Sequence, residues 1–231
     1  MKSNDEEENK KKRRKTIQHT YNGKLVEIYL KEKEKYAIIK YTPIHAEVQI
    51  LRAINNNNPY IVQIYSTSND CISFSPYFVM EKGICDLQHY IFEEQEVLTN
   101  FFTSMLDAIK FLHKMHIVHR DLAPQNIIVF EGNKFKLNDF GSAIKFDDEE
   151  SFKFEHNFNY NSGYISPEII ALENTKFDWG LYSHMNVYKR ADIWSLSKIF
   201  VEATLSFYNK KKISRCYIDP VFLKNVYDLT I

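Results

Sequence analysis

The spacing of apolar residues changes character once along this chain, near Met80, and that change limits the folds open to it. Before it, Leu25-Val26-Glu27-Ile28-Tyr29-Leu30 and Tyr36-Ala37-Ile38-Ile39-Lys40 are short runs rich in β-branched and aromatic residues, the composition of strands. The charged stretch Lys31 to Lys35 between them suits an exposed hairpin turn. One helix interrupts the strands, from about Ala46 to Ile54, where Val48, Ile50, Leu51 and Ile54 form an apolar face. Asn55 to Asn58 and then Pro59 close it, because asparagine tolerates left-handed geometry and proline blocks continuation. Ile61 to Tyr65 and Tyr77 to Met80 read as two further strands.

After Met80 helical spacing takes over. A segment near Asp86 to Phe92 precedes a longer one from about Val97 to Lys114, in which Phe101, Met105, Ala108, Ile109 and Leu112 recur at helical intervals. Short strands flank Gly132-Asn133, the stretch from Lys145 to Ser162 is irregular and polar, and a last helix runs from about Ala191 to Leu205. Strands first and helices later predict an α+β fold of two lobes with a cleft between them.

At 231 residues the chain can bury a sizeable core. Its zero formal net charge provides no global field to recruit nucleic acid or a membrane surface. The longest apolar runs, such as Ile127 to Phe130, are far too short to span a bilayer. Cys71, Cys85 and Cys216 are odd in number and scattered, which argues for a reducing compartment and against a disulfide or zinc framework. An intracellular, cytoplasmic location is expected. The basic block Lys10 to Lys15 leaves a nuclear address open, although beside the acidic run Asp5 to Glu8 it reads more simply as a solvated tail. Residues 1–15 are accordingly expected to be a disordered charged tail.

The chemistry concentrates in two fragments. His119-Arg120-Asp121-Leu122-Ala123-Pro124-Gln125-Asn126 places an acid five residues before an amide, and Asn138-Asp139-Phe140-Gly141 brings a second acid thirteen residues later. Magnesium-dependent phosphoryl transfer needs such a set: one carboxylate to accept a hydroxyl proton, an amide and a second carboxylate to hold the metal against phosphates.

In this order and spacing the fragments resemble the eukaryotic protein kinase family, whose catalytic loop reads H-R-D-L-x-x-x-N and whose metal motif is D-F-G. The resemblance extends from about Ile17 to Leu205. It implies a two-lobed kinase domain over 16–231, with the small lobe at about 16–80, the hinge at about 81–85 and the large lobe at about 86–231. It also implies ATP and Mg2+ (or Mn2+) as cofactors, with a protein substrate or a partner kinase as the binding partner. Asp121 becomes the catalytic base, Asn126 and Asp139 the metal ligands, and Lys40 the phosphate-positioning lysine with Glu47 as its helix acid. Ile17, Gly23, Leu25, Lys40, Met80, Glu81, Gly83 and Ile128 become nucleotide contacts, Glu81 and Gly83 through backbone groups. Either Ala37 or Ile38 would roof the base. By the same resemblance Asp192 would hydrogen-bond backbone near Arg120, and His119 would pack beneath Phe140.

Several departures from the family pattern bear on function. The glycine-rich loop is reduced to Gly23 and Leu25 within Gln18-His19-Thr20-Tyr21-Asn22-Gly23-Lys24-Leu25, so weaker nucleotide affinity is expected. Lys40 and Glu47 are only seven residues apart. That span extends roughly 23 Å, enough to join them, but it implies a helix lacking its first turns. Serine/threonine kinases carry lysine two residues after the catalytic aspartate, where this chain has Ala123, with Gln125 two residues further on. Pro124, and Tyr164 before Ser166-Pro167-Glu168, resemble the serine/threonine type.

Arg120 implies control by phosphorylation in the segment holding Ser151, Tyr160 and Ser162. The interval from Glu168 to Asp192 is long for the family, pointing to an insertion within Leu172 to Asn186. Late helices are represented only by a fragment from Asn209 to Ile231, with Arg215 the late candidate to pair with Glu168. The leading expectation is transfer of the ATP γ-phosphoryl group to protein serine and threonine hydroxyls. The alternative is a pseudokinase that binds or inhibits another kinase or regulator. Small-molecule phosphotransfer is disfavoured by Arg120 and Ser166-Pro167-Glu168.

Overall fold

The computed structural model describes residues 17–20, 23–42, 44–68, 76–146, 163–174 and 185–210. The expected tail, Cys71, Cys216, Arg215, the three candidate phosphorylation sites, most of the expected insertion and nearly all of the late fragment lie outside them.

The described chain is an α+β fold of two lobes. The first is a five-stranded antiparallel sheet in the order β1-β2-β3-β5-β4, built from β1 (Ile17–Thr20), β2 (Gly23–Leu30), β3 (Lys35–Tyr41), β4 (Ile64–Thr67) and β5 (Tyr77–Glu81). The β2–β3 turn is a short 3-10 stretch, Lys31–Lys33, ended by Glu34 in left-handed geometry. Helix α1 (His45–Ile54) packs Val48, Leu51 and Ile54 inward and ends at Asn55, whose φ of 45° and N–H bond to the Leu51 carbonyl complete the expected asparagine stop. It starts only two residues before Glu47, with no side-chain cap; the short Lys40–Glu47 interval does leave Glu47 in the first turn, where the helix dipole favours an acid.

Two sequence expectations need correction. The segment Asp86 to Phe92 is not a regular helix: β6 (Cys85–Asp86) leads into a 3-10 turn, Leu87–His89. The Asp86 carboxylate accepts from both His89 N and Nδ1, which fixes that single turn. The chain then runs extended so that Phe92 can enter a ring cluster with Phe101, Phe135 and Tyr90. The strand expected over Ile61 to Tyr65 begins only at Ile64. Ile61 and Val62 are buried, but their backbone joins the other lobe: Val62 N–H bonds the Leu137 carbonyl and Leu137 N–H bonds the Tyr60 carbonyl.

The second lobe is laid on helix α2 (Gln95–Lys114), two residues longer at its start than its spacing suggests. Against it lie β7 (Ile117–Val118), β8 (Ile127–Phe130), β9 (Lys134–Leu137) and β10 (Ile144–Lys145). A three-stranded sheet β6-β8-β9 and the pair β10-β7 bracket the loops that carry the chemistry. Helix α3 (Pro167–Asn174) and helix α4 (Met185–Asn209) follow, and α4 extends a turn and a half further toward the N-terminus than expected. One apolar core runs through both lobes, from Val48, Phe78 and Met80 to Met105, Leu137, Phe140 and Ile199.

Candidate functional site

Residues opposite one another on neighbouring strands share a face. Leu25, Lys40 and Phe78 are one such row, and Glu27, Ile38 and Met80 the next. Ile38, not Ala37, therefore accompanies Lys40 on the face turned to the other lobe; Ala37 is fully buried on the reverse side. Lys40 Nζ lies 2.7 Å from Glu47 Oε1 and 2.8 Å from Asp139 Oδ1. A lysine only 2% exposed keeps its charge because two acids meet it.

Asp139 is held for this by its backbone. Its φ is 61°, and its Oδ1 also accepts the Gly141 N–H at 3.2 Å. His119 Nε2 donates to the Asn138 carbonyl at 3.0 Å while its Nδ1 accepts the Asp121 N–H at 3.3 Å, so one neutral tautomer serves both. Its ring packs 5.1 Å from that of Phe140.

The loop bearing Asp121 is pinned from below by α4. Asp192, almost fully buried, accepts the N–H groups of His119 and Arg120, each at 2.9 Å, and meets His113 Nε2 at 2.9 Å. Arg120 stands at φ 66° and sends Nε to the Ser142 carbonyl. Asn126 donates its amide to the Asp121 carbonyl at 2.7 Å and to Asp121 Oδ2 at 3.0 Å, while its own carbonyl accepts from Asn138 N. Lys40, Glu47, Asp121, Asn126 and Asp139 thus form one connected constellation. Ala123, beside Asp121, is completely buried and brings no charge.

The other expected contacts divide. Gly83 and Ile128 are in direct apposition: a Cβ at Gly83 would lie 2.2 Å from Ile128 Cγ2 and 2.8 Å from the Val129 carbonyl oxygen. Leu25, Ile38 and Ile128 are half-buried against the core, and Met80 is buried within it. Ile17 and Gly23 are placed by backbone alone, opposite Val26 and Thr20. Glu81 has its N–H on the Gln63 carbonyl, and its carboxylate takes both Gln63 N–H and the Lys136 ammonium.

A family model for the protein kinase domain matches residues 10–219. The chain belongs to the protein kinase family. It is 28% identical over 192 residues to the SNF-related serine/threonine-protein kinase of Rattus norvegicus, covering 80% of this chain and 23% of the relative. It is 26% identical over 174 residues to the liver/testis phosphorylase b kinase gamma catalytic chain of Bos taurus, covering 72% and 40%. With the CBL-interacting serine/threonine-protein kinase 19 of Arabidopsis thaliana it shares 28% over 186 residues, covering 77% and 35%. The chain therefore spans well under half the length of these relatives.

Within this kinase domain the electrostatics follow burial and pairing. Burial opposes the Lys40 charge, yet Glu47 and Asp139 outweigh it and hold its pKa above the ordinary 10.5. Burial likewise opposes ionisation of Asp139, but Lys40 overcomes it and the carboxyl lies below 3.8. Glu47, entirely enclosed and facing the Asp139 charge, stays above 4.5 despite Lys40.

Sequence reasoning did not find the Glu81–Lys136 bridge, the Tyr164 hydroxyl on Glu202 at 2.6 Å, or Lys198 on the Gly163 carbonyl. Only the last two left a trace, as charged residues at Lys198 and Glu202 within the mainly apolar run Ile193 to Leu205. Among the described residues no helix is long and apolar enough to cross a membrane.

Proposed function

We propose that this kinase domain transfers the γ-phosphoryl group of ATP to serine or threonine hydroxyls of proteins. The observation that carries the reading is the double engagement of Lys40. An ammonium has three donors; Glu47 and Asp139 take two, and the third is left for a phosphate oxygen. Asp121, oriented by Asn126, accepts the hydroxyl proton of the acceptor as it attacks.

The metal fits the donor set. With its NH2 committed to Asp121, Asn126 has its amide oxygen to offer, and Asp139 has the oxygen that neither Lys40 nor Gly141 uses. Two hard oxygen donors suit Mg2+, which completes its shell with water and substrate phosphates; when bound it supplies neutralisation of phosphate charge. In this reading residues 16–80, 81–85 and 86–231 are small lobe, hinge and large lobe. Leu25 and Ile38 cover the base from one lobe, Ile128 supports it from the other, and the Glu81 carbonyl and Gly83 backbone meet its edge. The serine/threonine preference draws on Pro124, Tyr164 and the printed names of the relatives.

A second reading, a non-catalytic partner protein, draws on Ala123, which brings no cation where serine/threonine kinases carry lysine. Labelled ATP with Mg2+ or Mn2+ and a generic protein substrate, beside Asp139→Ala, separates the two. Incorporation lost in the variant, followed by phosphoserine or phosphothreonine in the hydrolysate, supports catalysis. Nucleotide binding with no incorporation by either protein supports the partner reading.

A further inference from the structure

Helix α4 carries a cation with an unusual set of neighbours. Lys198, six residues beyond Asp192, is partly buried, donates to the Gly163 carbonyl at 2.5 Å and lies 5.3 Å from the Tyr164 ring centroid. Neither neighbour is an anion. Among the described residues no salt bridge involves Lys198. The acid one turn along the helix, Glu202, gives its Oε2 to the Tyr164 hydroxyl instead. An ammonium with one carbonyl partner keeps two donors for a further acceptor.

Its position follows from the helix. The Asp192 end of α4 holds Arg120, the residue before Asp121. Six residues of helix rise about 9 Å, the reach of about three extended residues of a bound peptide. Gly163 and Tyr164, which Lys198 and Ser195 fasten to α4, lead into α3. Meanwhile Ala123 and Gln125, unlike Arg120 before Asp121, bring no positive charge to the loop.

Resting on the kinase reading above, we propose that Lys198 selects protein substrates with an acidic side chain within about three residues of the acceptor hydroxyl. The aspartate or glutamate carboxylate takes the donors that Gly163 does not.

The test uses peptides with one serine in a neutral background. Aspartate is placed singly at each of the three positions on either side, against asparagine counterparts. A parallel set with alanine for the serine is read by fluorescence anisotropy, which needs no turnover. Wild type should favour aspartate at one position about tenfold in kcat/KM and in Kd, the size of one charge-assisted hydrogen bond. Lys198→Gln can still donate to the Gly163 carbonyl, so it keeps the local structure; its preference should fall to near unity. Lys198→Arg should restore it, and Lys198→Glu should turn it toward lysine-bearing peptides. No aspartate preference in wild type, or an unchanged preference in Lys198→Gln, overturns the proposal. Selective binding without turnover overturns the catalytic reading but upholds the site, and turnover without selectivity does the reverse.

Discussion

Lys40 is the residue on which the buried charges of the cleft turn. Replacing it by methionine leaves Glu47 enclosed with no cation, and stranding one member of a buried pair costs about 3 kcal/mol. Lys40→Met should therefore unfold at clearly lower urea concentration, and adding Glu47→Gln should recover part of the loss; equal midpoints for wild type and the single variant would refute this. Asp139 gives a pH signature. Because its folded pKa is depressed below 3.8, it contributes stability present above that value and lost as pH falls through the lower folded one. The advantage of wild type over Asp139→Asn, measured by denaturation, should shrink with acidification below 3.8; an advantage that grows would contradict the assignment. At this scale the candidate residues were legible, since the kinase motifs name Asp121, Asn126 and Asp139 by spacing. The choice between Ala37 and Ile38 was not, because both are apolar and only the strand register decides which faces the cleft.

Among the elements, the link from β5 to β6 leaves the least room. Gly83 abuts Ile128 and the Val129 backbone, and neither a branched methyl next to Cβ nor a carbonyl can retreat far. Gly83→Ala should cost about 1–3 kcal/mol through overpacking, lower the melting temperature and weaken nucleotide binding together. An alanine variant with wild-type melting and affinity would show that β8 yields easily. Helices with long apolar stripes, such as α2, were read almost to the residue. The segment after Asp86 was misread as helical, whereas a side-chain cap and a distant ring cluster decide its path. Tertiary partners also explain Ile61 and Val62: their β-branched character is genuine, but a strand's partner is not written in its own composition.

For the molecule as a whole, the two lobes are not independent units. A single apolar core passes from Phe78 and Met80 to Phe140 and Ile199, Leu137 accepts from the Val62 N–H and donates to the Tyr60 carbonyl across the boundary, and Glu81 grips Lys136 from the end of β5. The Lys40–Asp139 bridge closes the same gap from the cleft. Such continuous contacts predict that the lobes unfold together. Trp194 lies in α4, so its fluorescence reports on the large lobe, whereas far-UV circular dichroism sums over the helices and sheets of both. The two urea transitions should coincide in wild type. In Glu81→Ala, which loses the hinge bridge and the Gln63 contact at once, the midpoint should fall while coincidence persists, because the shared core remains. Separate transitions in wild type would mean that the core across the boundary contributes less cohesion than its burial implies, and that the small lobe can open on its own around a largely intact catalytic loop.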